Sequence, residues 1–256
     1  YGTPTQEMVE SYEYAKGGLP NWTEWHGTTT KTPPYEELEP RFHATILYNG
    51  AEWKGRLIEP FVDGVDGWCQ WNIDREPMGR TTTGYYLRKL VDEDHDVIAY
   101  SGGVQPLIIM RYAEVLLNKA EACYHLDQSA DANAAVKKIR ERVDLPYTDK
   151  GGSALWDAIR QERKVELAFE GHWYWDLRRW GVAHQKYPEG LSGYKLHGLK
   201  IEKNNNGTDD DPSDDIYTYT YVSVDDQNRN FLPKMYRFPL PESELSSNKA
   251  VEQYPE

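Results

Sequence analysis

The chain has 256 residues, of which 39% are hydrophobic, with a mean hydropathy of -0.80 and a formal net charge of -13. That length accommodates one large domain or two modest ones with a sizeable core, and the acidity argues against nucleic acid, whose backbone is bound by clustered Lys and Arg. No apolar run approaches the roughly 20 residues that span a bilayer, and Cys69 and Cys123 have neither metal-site nor redox spacing.

Residues 1 to 104 are punctuated by Gly-Gly, Pro-Pro and Asn-Gly and read as irregular. Gln6 to Tyr14 is briefly helical in pattern, with Pro4 and Thr5 as start signals. Arg41 to Asn49 is expected to be a short strand and Asn49-Gly50 a turn leading to Trp53; Thr83 to Leu90 is expected to be extended. Tyr1-Gly-Thr-Pro lacks the charged and apolar regions of a signal peptide and reads as a cut through a larger protein.

Residues 105 to 187 change to a period of 3.6. Ile109, Tyr112, Ala113, Leu116, Leu117, Ala120 and Cys123 define a first amphipathic helix. Ser129 or Asp131 caps a second, carrying Ala135, Val136, Ile139 and Val143; Ser153 caps a third, and residues 172 to 186 form a fourth. Two successive hairpins resemble tetratricopeptide units, and two repeats are too few to bury their own outer faces. Residues 188 to 256 return to irregular chain. Within it Tyr217 to Val224 alternates as a strand, and Phe231 to Asn248 is extended and ends in a short turn.

The third and fourth helices carry the most unusual segment, IRQERKVELAFEGHWYWDLRRWG from Ile159 to Gly181. Glu162, Arg163, Glu166 and Glu170 share a helix face, and after Gly171 a stripe of Trp173, Leu177 and Trp180 follows. This segment resembles the signature of the SusD/RagB family, the glycan-capturing lipoproteins of the outer membrane in Bacteroidota. Other landmarks fall in that family's order. Pro4-Thr-Gln-Glu-Met-Val9 is similar to a mid-chain helix start, and Pro40-Arg-Phe-His-Ala-Thr-Ile-Leu-Tyr48 to its DPRFYATV segment, with Glu39 in place of the usual Asp. Thr82 to Lys89 is similar to its TGYYLRK stretch, Pro106 to Glu121 to its first C-terminal repeat helix, and Phe238-Pro-Leu-Pro-Glu-Ser-Glu-Leu245 to its closing stretch.

The resemblance implies a mainly α fold: tetratricopeptide-like hairpins in an α-α superhelix, with a large loop-rich region and a few short strands. It implies non-catalytic capture of an oligosaccharide or polysaccharide at the cell surface, and delivery to a TonB-dependent, SusC-like transporter. Members of the family are about twice as long and begin with a lipid-modified cysteine. The chain therefore resembles a C-terminal part whose missing N-terminal half would cover the exposed repeat faces and carry the lipid anchor. Peptide or protein binding, or contact with the transporter alone, are the alternatives that the family leaves open.

The residues suggest where a ligand could sit. Sugar rings stack C–H faces on Trp while their hydroxyls need polar neighbours. Trp22 and Trp25 stand in the loop PNWTEWHG, Trp53 follows the Asn49-Gly50 turn, and Trp68 and Trp71 stand in DGWCQWN, all beside polar residues. The same rings could instead pin irregular chain onto the helices. Glu166, Glu170 and Asp176 are paired carboxylates of the kind glycosidases use. They sit among Arg163, Arg178 and Arg179, which would hold them ionised, so a structural charge network is the expectation and no catalytic residue is assigned. Asp209, Asp210, Asp211, Asp214 and Asp215 offer oxygen ligands for Ca²⁺ without the spacing of an EF-hand, so no metal or cofactor is assigned.

Overall fold

The computed structural model describes residues 2–69, 80–95, 108–188, 194–208, 212–225 and 227–254. The chain divides into two compact units. The first comprises Tyr1–His172 and Leu196–Asp225, the second Trp173–Lys195 and Asp226–Glu256.

The first unit holds helices α1 (Gln6–Val9), α2 (Pro40–Thr45), α3 (Tyr112–His125), α4 (Ser129–Glu141) and α5 (Gly152–Glu166). Its strands are β1 (Thr28–Thr29), β2 (Ile46–Leu47), β3 (Glu52–Trp53), β4 (Arg56–Leu57), β5 (Tyr86–Leu87), β6 (His197–Asn204) and β7 (Ile216–Ser223). They pair antiparallel as a three-stranded sheet in the order β1-β7-β6, the ribbon β2-β5 and the hairpin β3-β4. Among the described residues no helix is long and apolar enough to cross a membrane.

Where periodicity was long, the elements match it. The faces of α3, α4 and α5 close on a small core of Ala120, Cys123, Ala132, Val136, Leu155 and Ile159. Interior positions that are alanine let the helices pack closely, and Leu155 and Ile159 are fully buried. The ends differ from expectation. Ile109 precedes α3 and is 86% exposed. Val143 lies beyond the end of α4, and Gly151 instead of Ser153 is the N-cap of α5.

Arg41 to Asn49 is a helix followed by a strand, not one strand. Pro40 occupies the first turn of α2, where its fixed φ suits the helix and its missing N–H is not needed. Arg41, Phe42 and Thr45 then point inward at helical spacing, and only Ile46–Leu47 is extended. Over so few residues, periods of 2 and 3.6 cannot be told apart. The helix expected over Gln6 to Tyr14 is one turn, and β6, which the sequence reading passed over, pairs along its whole length with β7.

A larger core lies under the loop-rich part, with Tyr12, Tyr35, Phe42, Ile46, Tyr85, Leu199, Ile201 and Tyr219 at most 2% exposed. It is aromatic, which explains how a polar chain still builds a core. Two glycines let the Thr81–Tyr85 segment lie directly on β6. A Cβ at Gly84 would come within 2.3 Å of the Leu199 carbonyl oxygen, and one at Gly198 within 2.4 Å of the Thr83 Cα. That approach places the Leu199 N–H 3.0 Å from the Thr83 carbonyl.

In the second unit the helix expected over 172 to 186 is broken. It forms α6 (His172–Arg179) and α7 (Ala183–Lys186), parted at Gly181, whose φ is +70°. A short α8 (Glu242–Ser247) follows the proline-rich stretch. Arg178 organises this unit by donating to the Met235 and Tyr236 carbonyls at 2.6 and 2.8 Å, with its guanidinium 4.3 Å from the Phe238 ring centroid. Tyr174, Trp175 and Phe238 are 49%, 55% and 58% exposed.

Candidate functional site

The signature helix resolves first. Glu162 and Glu166 on α5 are 2% and 3% exposed, so each needs a cation and hydrogen bonds to be held inside. Arg41 from α2 supplies both: one Nη1 reaches Glu162 and also Glu166, and its Nε reaches Glu39 at 2.6 Å. Arg140 at the end of α4 bridges Glu162 to Glu13, with contacts of 2.9–3.0 Å. Arg111, just before α3, joins Glu166 at 2.7 Å to Glu170 at 2.6 and 2.7 Å. Lys89 caps the end of α5, bonding Glu170 at 2.6 Å and the Glu166 and Ala168 carbonyls at 3.1 and 3.0 Å. Arg142 adds a more exposed contact to Glu166 at 2.8 Å.

Five carboxylates (Glu13, Glu39, Glu162, Glu166, Glu170) thus meet five cations (Arg41, Lys89, Arg111, Arg140, Arg142). Burial alone would raise Glu166 and Glu170. The Arg111 hydrogen bonds, with Arg142 and Arg41 for one and Lys89 for the other, outweigh it and hold both below the usual carboxylate range. For Glu13 burial is likewise outweighed, by Arg140. Glu39 goes the other way, because burial raises it despite Arg41. Burial also pulls Lys89 below the usual ammonium range against its pairing with Glu170, while its three acceptors match one N–H each. A carboxylate held ionised in this way does not serve as a general acid.

The network expected from sequence is therefore present, but its cations are not the ones adjacent in sequence. Arg163 bonds Asn118 at 2.7 Å, and Asp176 lies in the second unit, paired with Arg179 at 2.8 Å.

The loop tryptophans divide. Trp22 and Trp25 form a 3₁₀ turn, in which residues three apart eclipse one another, so both rings leave on the same side. That side is the aromatic core: each is 5% exposed, they meet edge to face at 5.5 Å, and the Trp25 Nε1 donates to the Lys31 carbonyl at 2.9 Å. Trp22 and Trp25, expected to be ligand-contacting, are thus largely buried in that core. Trp68 is half-buried and bridges to Thr81. Trp71 lies outside the described residues, as do Asp209, Asp210 and Asp211. Of the remaining acidic residues in that run, Asp214 accepts the Thr208 hydroxyl and Asp215 pairs with Lys203 at 2.7 Å.

Trp53 is half-buried at the tip of the β3-β4 hairpin and packs against the core. It does not itself line a nearby cleft of about 360 Å³, but two of its neighbours do, Glu52 in sequence and Arg88 in space. The turn at Asn49-Gly50, with Gly50 at φ +87°, sends the chain into that hairpin as expected. Neighbouring Glu52 and Leu57 line the cleft from the hairpin, His43 from α2, Tyr48 and Glu36 from the loops, and Arg88 from the end of β5. The Arg88 guanidinium lies 5.9 Å from the Trp53 ring centroid. Its Nε donates to Glu93 at 2.6 Å, and its backbone N–H is held by the Thr45 carbonyl at 2.9 Å.

The hydrogen-bond directions inside the cleft can be worked out. The Tyr48 hydroxyl has one proton and donates it to Glu36 at 2.8 Å, and burial and that carboxylate both raise the phenol, so it stays protonated. His43 Nδ1, 3.3 Å from the same hydroxyl oxygen, must then be the donor of that contact. The cleft presents the carboxylates of Glu36 and Glu52 as acceptors; the Tyr48 hydroxyl and His43 Nδ1 are engaged with each other and Glu36, while Arg88 uses its Nε toward Glu93 and keeps further guanidinium N–H groups. Sequence reading singled out Trp53 but not these partners, which come from four separate segments between positions 36 and 88.

Comparison with known proteins fits this architecture. Two SusD-like proteins of Formosa agariphila are 40% identical over 83 residues and 35% identical over 116 residues, covering 28% and 43% of this chain and 16% and 22% of theirs. A solved SusD-like protein of Bacteroides fragilis superposes with a TM-score of 0.75 at 28% identity, over 98% of this chain and 46% of that one. A solved SusD-like carbohydrate binding protein of the same species gives a TM-score of 0.69 at 26% identity, over 97% of this chain and 48% of that one. The chain thus spans less than half the length of these solved relatives, and the stretches matched in the two curated ones cover less than a quarter of theirs. Its mainly α fold with tetratricopeptide-like hairpins is theirs. With residues 2–256 matching the pattern that defines the SusD family, the chain belongs to that family.

Proposed function

We propose that the chain captures an oligosaccharide without altering it covalently, at the outer face of the outer membrane, and works with a SusC-like, TonB-dependent transporter. Family membership supports the general reading, and the solved relative described as a SusD-like carbohydrate binding protein supports the ligand class. The observation that carries it in this chain is the cleft lined by Glu36, Glu52 and Arg88, with Trp53 next to Glu52 in the hairpin and its ring 5.9 Å from the Arg88 guanidinium. Sugar hydroxyls are donors that an acceptor-lined cleft can satisfy, and a half-buried indole offers a C–H-stacking face next to it. Trp53 is the principal ligand contact in this reading and Trp68 a second candidate, while Trp22 and Trp25 belong to the scaffold.

Such a site holds sugar by one ring contact and a few hydrogen bonds, so affinity is modest. Calorimetry on the full chain with a panel of neutral hexasaccharides tests this. Trp53→Ala is expected to weaken binding roughly tenfold or more, as for a central aromatic anchor, with the sugar recovered intact. Unchanged affinity in Trp53→Ala would move the site elsewhere, and recovery of shortened sugar would end the non-catalytic reading.

A further inference from the structure

Arg88 lines the cleft and also reaches Trp53, with its guanidinium 5.9 Å from the ring centroid. Its Nε is taken by Glu93 at 2.6 Å and its Nη1 lies 3.5 Å from the His43 carbonyl, which leaves Nη2 with no partner among the described residues. A guanidinium holds its donors in one rigid plane, so fixing two of its nitrogens fixes the third. We infer that Glu93, which does not itself line the cleft, is a positioning residue for sugar capture: it holds Arg88 with Nη2 left for the oxygens of a sugar beside Trp53. The inference rests on the glycan reading above.

The chain between the two residues is shaped for this contact. The Val91 N–H closes a turn on the Arg88 carbonyl at 3.1 Å, and Leu90, the third residue of that turn, has φ +67°. Turns that need a positive φ there ordinarily take Gly or Asn, and a leucine is an outlier. Such strain persists where the surroundings over-determine it, and here they do so at both ends. The Arg88 and Lys89 N–H groups are held by the Thr45 carbonyl at 2.9 and 3.3 Å, and the Lys89 ammonium is clamped to the end of α5. At the far end Lys54, next to Trp53 in the hairpin, donates to the His95 carbonyl at 2.5 Å. One segment thus returns Glu93 to Arg88 and ties itself to the hairpin that carries Trp53. The side chains of Arg88 and Glu93 are 32% and 38% exposed, and pairs so exposed add little to stability. What the pair supplies is orientation, because an unheld arginine must be immobilised by the sugar itself.

Calorimetry on the full chain, with the tightest binder among gluco-, manno- and galacto-hexasaccharides, tests this as a double-mutant cycle. Arg88→Met keeps the unbranched stem and removes the donors; it should weaken binding roughly tenfold, the scale of a hydrogen bond from a charged group. Glu93→Ala should weaken binding about threefold to tenfold in the wild-type background, the scale of one long side chain ordered on binding. It should cost nothing further once Arg88 is Met. Glu93→Gln, whose amide oxygen still accepts from Nε, should keep most of the affinity. A merely structural role would instead lower the melting temperature and weaken binding whether or not Arg88 is present. That result, or no loss in Glu93→Ala, would overturn the positioning role and leave the site standing. Full affinity in Arg88→Met, while Trp53→Ala binds weakly, would do the same. Binding indifferent to Trp53→Ala, or no binding by any of the three sugars, would remove the site and this inference with it.

Discussion

Replacing Arg41 with Met keeps an unbranched apolar stem but removes the guanidinium and the charge at the centre of the network. Arg41 is 8% exposed and contacts Glu39, Glu162 and Glu166, whose side chains are 1%, 2% and 1% exposed. Arg140 and Arg111 still serve Glu162 and Glu166, but Glu39 loses its one ion-pair partner among the described residues. Breaking a buried ion pair from one side costs about 3–5 kcal/mol, because the abandoned charge stays desolvated. In a unit of roughly 200 residues, where each kcal/mol moves the melting temperature by about 2–4 °C, that corresponds to a fall of roughly 6–20 °C. Urea and thermal denaturation, followed by circular dichroism, would measure it. Arg142→Ala is the control: its side chain is 57% exposed, and exposed pairs contribute about 0–1 kcal/mol. A loss under about 1 kcal/mol in Arg41→Met, or equal losses in the two variants, would refute the claim that the signature segment is a buried scaffold.

Three further outcomes follow from the same structure. Glu13, Glu166 and Glu170 are held below their ordinary value of 4.5, so their stabilisation is present above that value and is lost progressively as the pH falls from it through their lowered values. Glu39, raised by burial, acts in the opposite sense but is one group against three. The melting temperature should therefore drop below about pH 4.5, and more shallowly in Glu166→Gln; a rise on acidification would contradict this. Gly198→Ala forces a Cβ to within 2.4–2.8 Å of the Thr83 backbone and should cost about 1–3 kcal/mol on denaturation, whereas a neutral effect would mean that the Thr83–Leu199 contact is not tight. Trp22→Ala should cost about 3–5 kcal/mol as a large-to-small core change; a variant of unchanged stability that loses sugar binding would return Trp22 to the ligand site.

Sequence alone made the helical repeats legible because α3, α4 and α5 are long enough for a 3.6 period to stand out. It also separated recognition from chemistry in the signature segment, since carboxylates amid arginines are poor acids. It could not supply the right arginines: Arg41 is 121 residues from Glu162 and 125 from Glu166, a pairing that only the fold creates. The burial of Trp22 and Trp25 was hidden for a local reason, because polar neighbours in a loop resemble a binding surface until a 3₁₀ turn puts both rings on one side. In β6 the buried Leu199 and Ile201 did alternate, but Gly198 and the lysines around them masked the strand. The cleft was illegible beyond Trp53, since Glu36, His43, Tyr48 and Arg88 converge from separate segments without any local motif.

The most direct test of glycan capture through this cleft is a crystal structure of the full chain soaked with the tightest-binding neutral hexasaccharide. A sugar ring stacked on Trp53, with hydroxyls donating to Glu52 or Glu36, is the predicted result. Ligand density away from Trp53, for instance on the exposed Trp175 and Phe238 rings of the second unit, would contradict it.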